Sequence, residues 1–172
     1  DTKKRRGLVD SEYNLRRQEC ERGAALLGVR ALRDVTPAEL GRRQGELEPT
    51  TLKRCRHVVT ETQRVLDAVQ ALEADDLAAF GRLMNASHES LRDDYEVTGA
   101  ELDALAEAAW GVEGVLGARM TGAGFGGCTV NLVAPEALDE FLRRVPDEYR
   151  QRTGLEAEIH VCHAVQGVHR VR

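Results

Sequence analysis

Aromatic residues make up only 4% of the 172 residues, so Leu, Ala and Val have to supply the core. No apolar run approaches the ~20 residues that span a bilayer, and no signal-peptide hydrophobic region is present. The four cysteines, Cys20, Cys55, Cys128 and Cys162, are widely spaced and form no C-x-x-C pair. That spacing disfavours a zinc site or a disulfide framework and reads as reduced core thiols in a cytoplasmic protein. Positive charge is also short: the formal net charge is −5, which argues against a nucleic-acid partner. The one basic run, Lys3-Lys4-Arg5-Arg6, reads as a solvated terminal patch. Internal repeats, low-complexity tracts and linkers are missing too, so the chain is read as one domain.

What is present is helical pattern followed by strand pattern. Asp10-Ser11 can cap a helix from about Glu12 to Leu27, with Gly28 after its end. Thr36-Pro37-Ala38-Glu39 is a capping box with proline at the first helical position. A stronger helix is expected from about Thr51 to Ala74, with Val58, Thr62, Val65, Val69 and Leu72 on one stripe. Asp75-Asp76 opens the next, with Leu77, Phe80, Met84, His88 and Leu91 at three-four spacing. The two are joined by almost nothing and should pack antiparallel. Thr98-Gly99-Ala100-Glu101 is a second capping box, with Leu102, Leu105, Ala106 and Ala109 behind it.

After Gly114 the period changes. Val115–Thr121 and Cys128–Val133 read as strands, the second with Cys128, Val130 and Leu132 on one face. Pro135 starts a helix expected to end near Pro146. Ala157, Ile159 and Val161 alternate as a third strand, and Val168–Arg172 can be read as a fourth. Helices first and strand–loop–strand–helix–strand afterwards predict an α+β fold: a small, mainly antiparallel sheet covered by helices.

Between the first two strands lies Met120-Thr-Gly-Ala-Gly-Phe-Gly-Gly-Cys128. Gly122-x-Gly124-x-x-Gly127 matches the dinucleotide fingerprint formally. That fingerprint needs a helix after the glycines, and here a β-branched run follows. No G-K-[ST] closes the run either, so it is not a P-loop. Two readings stay open from the residues: a tight structural turn, or a ligand-facing loop with more glycine than a hairpin requires, flanking an exposed Phe125.

Other polar residues are weaker signals. Tyr13 in the first helical turn either packs its ring in the core or faces a site. Asp93-Asp94-Tyr95-Glu96 reads as a solvated helix end before it reads as a Mg²⁺ site or a base. His88, on an apolar face, reads as a satisfied core histidine. His57 and Glu61 stand four apart on one helix and should pair with each other. His160 and His163 fall on opposite strand faces and cannot chelate one metal.

Several ordered segments together carry a resemblance. Ser11-Glu-Tyr-Asn-Leu-Arg-Arg-Gln-Glu-Cys-Glu21, Arg56-His-Val-Val-Thr-Glu61, Ser87-His-Glu-Ser-Leu-Arg-Asp-Asp-Tyr-Glu-Val97, Glu101-Leu-Asp103 and Ala118-Arg-Met-Thr-Gly-Ala-Gly-Phe-Gly-Gly-Cys128 are similar to the carboxyl-terminal half of the galactokinase family. That family is a branch of the GHMP small-molecule kinases. The resemblance covers the chain from Asp1 essentially to Arg172. It implies a ferredoxin-like GHMP C-terminal domain and ATP-dependent phosphorylation of galactose at O1 with Mg²⁺, giving galactose 1-phosphate and ADP.

The same resemblance implies that Gly122, Ala123, Gly124, Phe125, Gly126 and Gly127 form the third GHMP motif, a loop at the interdomain nucleotide cleft. It implies that Tyr13 contacts a sugar hydroxyl. The first two motifs, the serine-rich phosphate loop among them, are not in this sequence, nor are the family's catalytic aspartate and its arginine partner. An N-terminal half that binds ATP and Mg²⁺ is therefore expected outside the chain, which begins at Asp1 without an initiator Met. No residue here is expected to be catalytic or metal-ligating, and the chain alone should be inactive. Relatives of this kind also include N-acetylgalactosamine and arabinose kinases and non-catalytic galactose and ATP sensors. No nucleic-acid or membrane partner is expected.

Overall fold

Local signals set most element starts. The structure, a computed structural model, describes residues 1–4, 9–165 and 167. Its first helix, α1, spans Val9–Leu26, three residues earlier than the Asp10-Ser11 signal suggests, so that pair lies inside the helix. It ends in a Schellman motif: Val29 N–H bonds the Ala24 carbonyl at 3.0 Å and Gly28 N–H the Ala25 carbonyl at 3.1 Å, with Gly28 at φ +64°. The Thr36 hydroxyl accepts the Glu39 amide at 3.2 Å and starts α2, Pro37–Arg43. Helix α3, Pro49–Glu73, starts on a cap the sequence reading missed. Glu48 accepts both the Thr50 and Thr51 amides, with Pro49 at the first helical position. Asp76 caps α4, Leu77–Asp93, through the Ala79 amide.

Helices α3 and α4 are antiparallel, since Glu61 meets Ser87 while the earlier His57 meets the later Ser90. The expected stripe on α3 is only partly buried. Its packed face is Thr51, Arg54, Cys55 and Val59, while Val65, Val69 and Leu72 are exposed. Twenty-five residues make a rod of roughly 37 Å, and its second half outruns the elements that cover its first.

Helix α5, Ala100–Trp110, begins at Gly99, whose φ is +86°, with no side-chain cap. Thr98 is buried instead, and Glu101 turns to Lys4 at 2.6 Å, so the capping box does not form. Its apolar face Leu102, Leu105, Ala106 and Ala109 is fully inside. Helix α6 spans Leu138–Thr153 and carries Pro146 within it. Pro146 removes one backbone donor, but Val145 and Tyr149 on the same face are buried, and that packing carries the helix past the break.

The sheet is a two-stranded antiparallel pair, β1 Val115–Thr121 and β2 Cys128–Val133. Register runs from Thr121↔Cys128 to Gly117↔Leu132, with an irregularity between Val115 and Gly117. The Cys128 and Val130 face is the exposed one. The far edge of β1 is closed by side chains. Asn85 accepts the Ala118 amide at 2.8 Å, His88 accepts the Met120 amide at 3.0 Å, and Trp110 donates to the Ala118 carbonyl at 3.1 Å. Gly81 and Gly117 allow this approach, because a β-carbon on Gly117 would lie 2.4 Å from the Gly81 carbonyl oxygen.

No strand forms over Ala157–Cys162. Leu155, Ala157 and Ile159 do turn toward the core. The segment's backbone partner, however, is Asp1: its amino group donates to the Glu158 carbonyl at 2.8 Å and its carbonyl accepts the Glu158 amide at 3.0 Å. One such exchange is too little for a ladder. The fourth expected strand, Val168–Arg172, lies outside the described residues, as do Arg5 and Arg6 of the basic run.

The α+β expectation holds, with helices over a small sheet. The main core joins α5, α6 and β1 through Leu105, Ala109, Ala118, Phe141 and Tyr149. A second joins α1, α2 and α3 through Leu27, Leu40, Cys55 and Val59. Cys128 and Cys162 belong to neither; both are exposed, and all four thiols are free. Among the described residues no helix is long and apolar enough to cross a membrane.

Candidate functional site

Five of the six residues from Gly122 to Gly127 have positive φ: Gly122 +86°, Gly124 +85°, Phe125 +57°, Gly126 +119° and Gly127 +101°. Only glycine adopts most of these cheaply, so the run is fixed by backbone conformation. Phe125 is the exception, and its ring explains it. Rather than being exposed, it packs half-buried against Leu91, Val97, Leu102 and Met120. That burial offsets a left-handed backbone costing on the order of 1 kcal/mol.

Two neighbours hold the loop. The Phe125 amide donates to the Val97 carbonyl at 2.7 Å, and a β-carbon on Gly124 would lie 2.1 Å from that same oxygen. On the other side the Thr2 amide and hydroxyl both donate to the Gly127 carbonyl, at 2.9 and 2.7 Å. A β-carbon on Gly126 would meet the Lys4 carbonyl oxygen at 3.2 Å. Gly122 and Ala123 remain exposed. The loop therefore has a seated side and an open side, and the open side offers peptide groups without bulky side chains.

Tyr13 is 56% exposed, so its ring is not in the core. One turn along α1, buried Arg16 donates to the Tyr95 carbonyl at 2.6 Å and the Glu96 carbonyl at 2.9 Å. Tyr13 is near enough to raise the Tyr95 phenol further, after burial and Cys20. The 94–97 turn thus links α1, through Arg16, to the glycine loop, through Val97.

The acidic turn is not merely solvated. Asp94 pairs with Arg56 at 2.9 Å. Hydrogen bonds from Arg54 and then Lys53 hold the Glu96 carboxyl down at about 2. Glu96 itself has φ +56°. His57 does not pair with Glu61. Its Nδ1 lies 3.0 Å from the Ser90 hydroxyl and its ring stacks on Tyr95 at 4.4 Å. Burial pushes it down from 6.5 to about 4. Glu61 instead accepts from Ser87 at 2.6 Å and Arg119 at 3.3 Å, and pairs with Arg64. These groups line one end of a cleft of about 390 Å³ whose other wall includes Val65, Phe80 and Val130.

His88 is a satisfied core histidine, fully buried. Its Nδ1 accepts the Met120 amide, so the proton sits on Nε2, which faces the Asp103 carboxylate at 3.1 Å. It orders the strand that leads into the glycine loop. Sequence reading did not single out Arg16, Arg54 or Asn85. The available signal was long polar or charged residues at helix positions otherwise facing inward.

Residues 68–151 match the family model described as GHMP kinases C terminal. The chain is 51% identical over 166 residues to a galactokinase of Actinobacillus succinogenes, covering 94% of this chain and 43% of that protein. It is 48% identical over 176 residues to a galactokinase of Clostridium beijerinckii, covering 99% and 45%. Among solved structures, Lactococcus lactis galactokinase complexed with galactose superposes with a TM-score of 0.87 at 42% identity, over 91% of this chain and 42% of that one. The chain thus spans less than half the length of the curated relatives it matches. Residues 68–151 are thus similar to the C-terminal domain of the GHMP kinases, and nearly the whole chain is similar to part of the galactokinases.

Proposed function

We propose that this chain is the C-terminal half of a galactokinase, which transfers a phosphoryl group from ATP to the O1 hydroxyl of galactose and releases ADP. One observation carries the reading: 42% identity and a shared fold with a galactokinase bound to galactose, sustained over 91% of the chain. In this reading residues 1–172 form one GHMP C-terminal domain. An N-terminal half supplies the serine-rich phosphate loop, the base and most contacts to ATP and Mg²⁺, and the assembled protein works in the cytoplasm.

Phosphoryl transfer depends on holding the attacking hydroxyl and the γ-phosphate in line while their charge is stabilised. This chain contributes two surfaces to that task. The exposed phenol of Tyr13 gives a sugar hydroxyl a hydrogen-bond partner and helps orient the ring. The open side of Gly122–Gly127 forms a wall without bulky side chains, against which the nucleotide-phosphate loop of the other half closes. The seated side of the loop, on Val97 and Thr2, keeps that wall in place.

The test is ADP release from a protein in which this chain follows a galactokinase N-terminal half, with galactose, N-acetylgalactosamine and arabinose as acceptors. Turnover with galactose alone is expected, and the chain by itself should give none. Turnover with another sugar in preference to galactose overturns the substrate assignment. Binding of galactose and ATP without turnover reassigns the protein as a sensor.

A further inference from the structure

Arg54 lies on α3, about 70 residues before the glycine loop, yet it is 97% buried in charged company (3% exposed). Its guanidinium makes three hydrogen bonds: Nε to the Glu19 carboxylate of α1 at 2.8 Å, one terminal nitrogen to the Asp94 carbonyl at 2.6 Å, the other to the Glu96 carboxylate at 2.7 Å. Arg16 adds the next two carbonyls, Tyr95 and Glu96. Three successive backbone carbonyls, 94, 95 and 96, thus end on buried guanidinium groups. The following carbonyl, Val97, is the one that receives the Phe125 amide and lies against Gly124.

This is more than is needed to close a turn between two helices. Glu96 is held in the left-handed region, where a non-glycine residue stays only if its surroundings over-determine it. Rigid planar forks supply that determination, and a flexible ammonium would not. The direction in which the Val97 carbonyl points follows from Glu96, and the seat of Gly124 and Phe125 follows from that carbonyl.

We propose that Arg54 and Arg16 are positioning residues for the glycine loop, acting through the Asp94–Val97 turn. The kinetic part of this proposal rests on the galactokinase reading; the structural part does not. Substituting Arg54→Lys keeps the charge and most of the volume but removes the fork. In the 172-residue chain, amide hydrogen exchange should then quicken about 10-fold at Phe125, with the α6 amides near Tyr149 unchanged. The Arg16→Lys variant should do the same, while Arg143→Lys, on the exposed face of α6, should not.

Unaltered exchange at Phe125 in folded Arg54→Lys overturns the proposal. So does a uniform acceleration that includes α6, since that reports global destabilisation. In the assembled kinase, Arg54→Lys should lower kcat about 10-fold with KM for galactose within about twofold. A change confined to KM overturns the kinetic part. Should the assembled protein lack galactose turnover even with Arg54 intact, the exchange experiment still decides the positioning role, and only the functional reading falls.

Discussion

The Nδ1 of His88 accepts the Met120 amide at 3.0 Å across the interface between α4 and the edge of β1. The imidazole thereby replaces a neighbouring strand, and its Nε2–H donates to the Asp103 carboxylate. Replacing His88 with Leu leaves the Met120 amide buried and unpaired. The expected cost is about 2–3 kcal/mol, measured by urea denaturation. His88→Asn should recover part of that, because the amide oxygen is an acceptor. A Leu variant as stable as the parent would show that the bond contributes nothing.

Gly124 and Gly28 both have positive φ, +85° and +64°, but only one is crowded. No atom lies within 4 Å of a β-carbon built on Gly28. Gly28→Ala should therefore cost about 1 kcal/mol, the penalty of the left-handed region alone. Gly124→Val adds a collision with the Val97 carbonyl and should cost about 3 kcal/mol or more, or block folding. Equal losses at the two sites would contradict this account of the loop's seat.

Tyr13 is exposed, so its phenol can be removed without disturbing the core. On the proposed galactokinase reading, Tyr13→Phe in the chain joined to an N-terminal half should leave the melting temperature unchanged and raise KM for galactose about 3- to 10-fold, the worth of one neutral hydrogen bond. An unchanged KM in the folded variant would remove Tyr13 from the sugar site.

His57 couples stability to pH. Its folded value, about 4, lies below the ordinary 6.5 because burial disfavours the charged ring. The unfolded chain therefore binds this proton more readily. The contribution is complete above pH 6.5 and is lost as pH falls toward 4, by up to about 3 kcal/mol. Glu96, held at about 2, adds a further loss below its ordinary 4.5. Urea midpoints between pH 7 and 4 should fall for the parent and flatten for His57→Gln. The same slope in both would assign the pH dependence elsewhere.

The parts of this fold legible in the sequence were those with local causes. The Thr36 cap, the Gly28 stop, the change of period at Gly114 and the glycine run all announce themselves within a few residues. Val65, Val69 and Leu72 misled, because periodicity reports which residues share a face and not whether anything covers it. Pro146 misled in the opposite direction, since packing of Val145 and Tyr149 outweighs one missing donor. The seat of the glycine loop was not legible at all. It depends on Arg16, Arg54 and Val97, residues brought together from three separate elements, and no spacing rule links them.

The side chains of Asn85, His88 and Trp110 along β1 have a consequence for how this molecule meets others. Unpaired strand edges are where chains stick to one another, and one edge of this sheet has already been spent on its own helices. A strand arriving from elsewhere cannot pair along the β1 edge that these side chains occupy. Head-to-tail stacking of copies through both edges of the sheet is thus closed off.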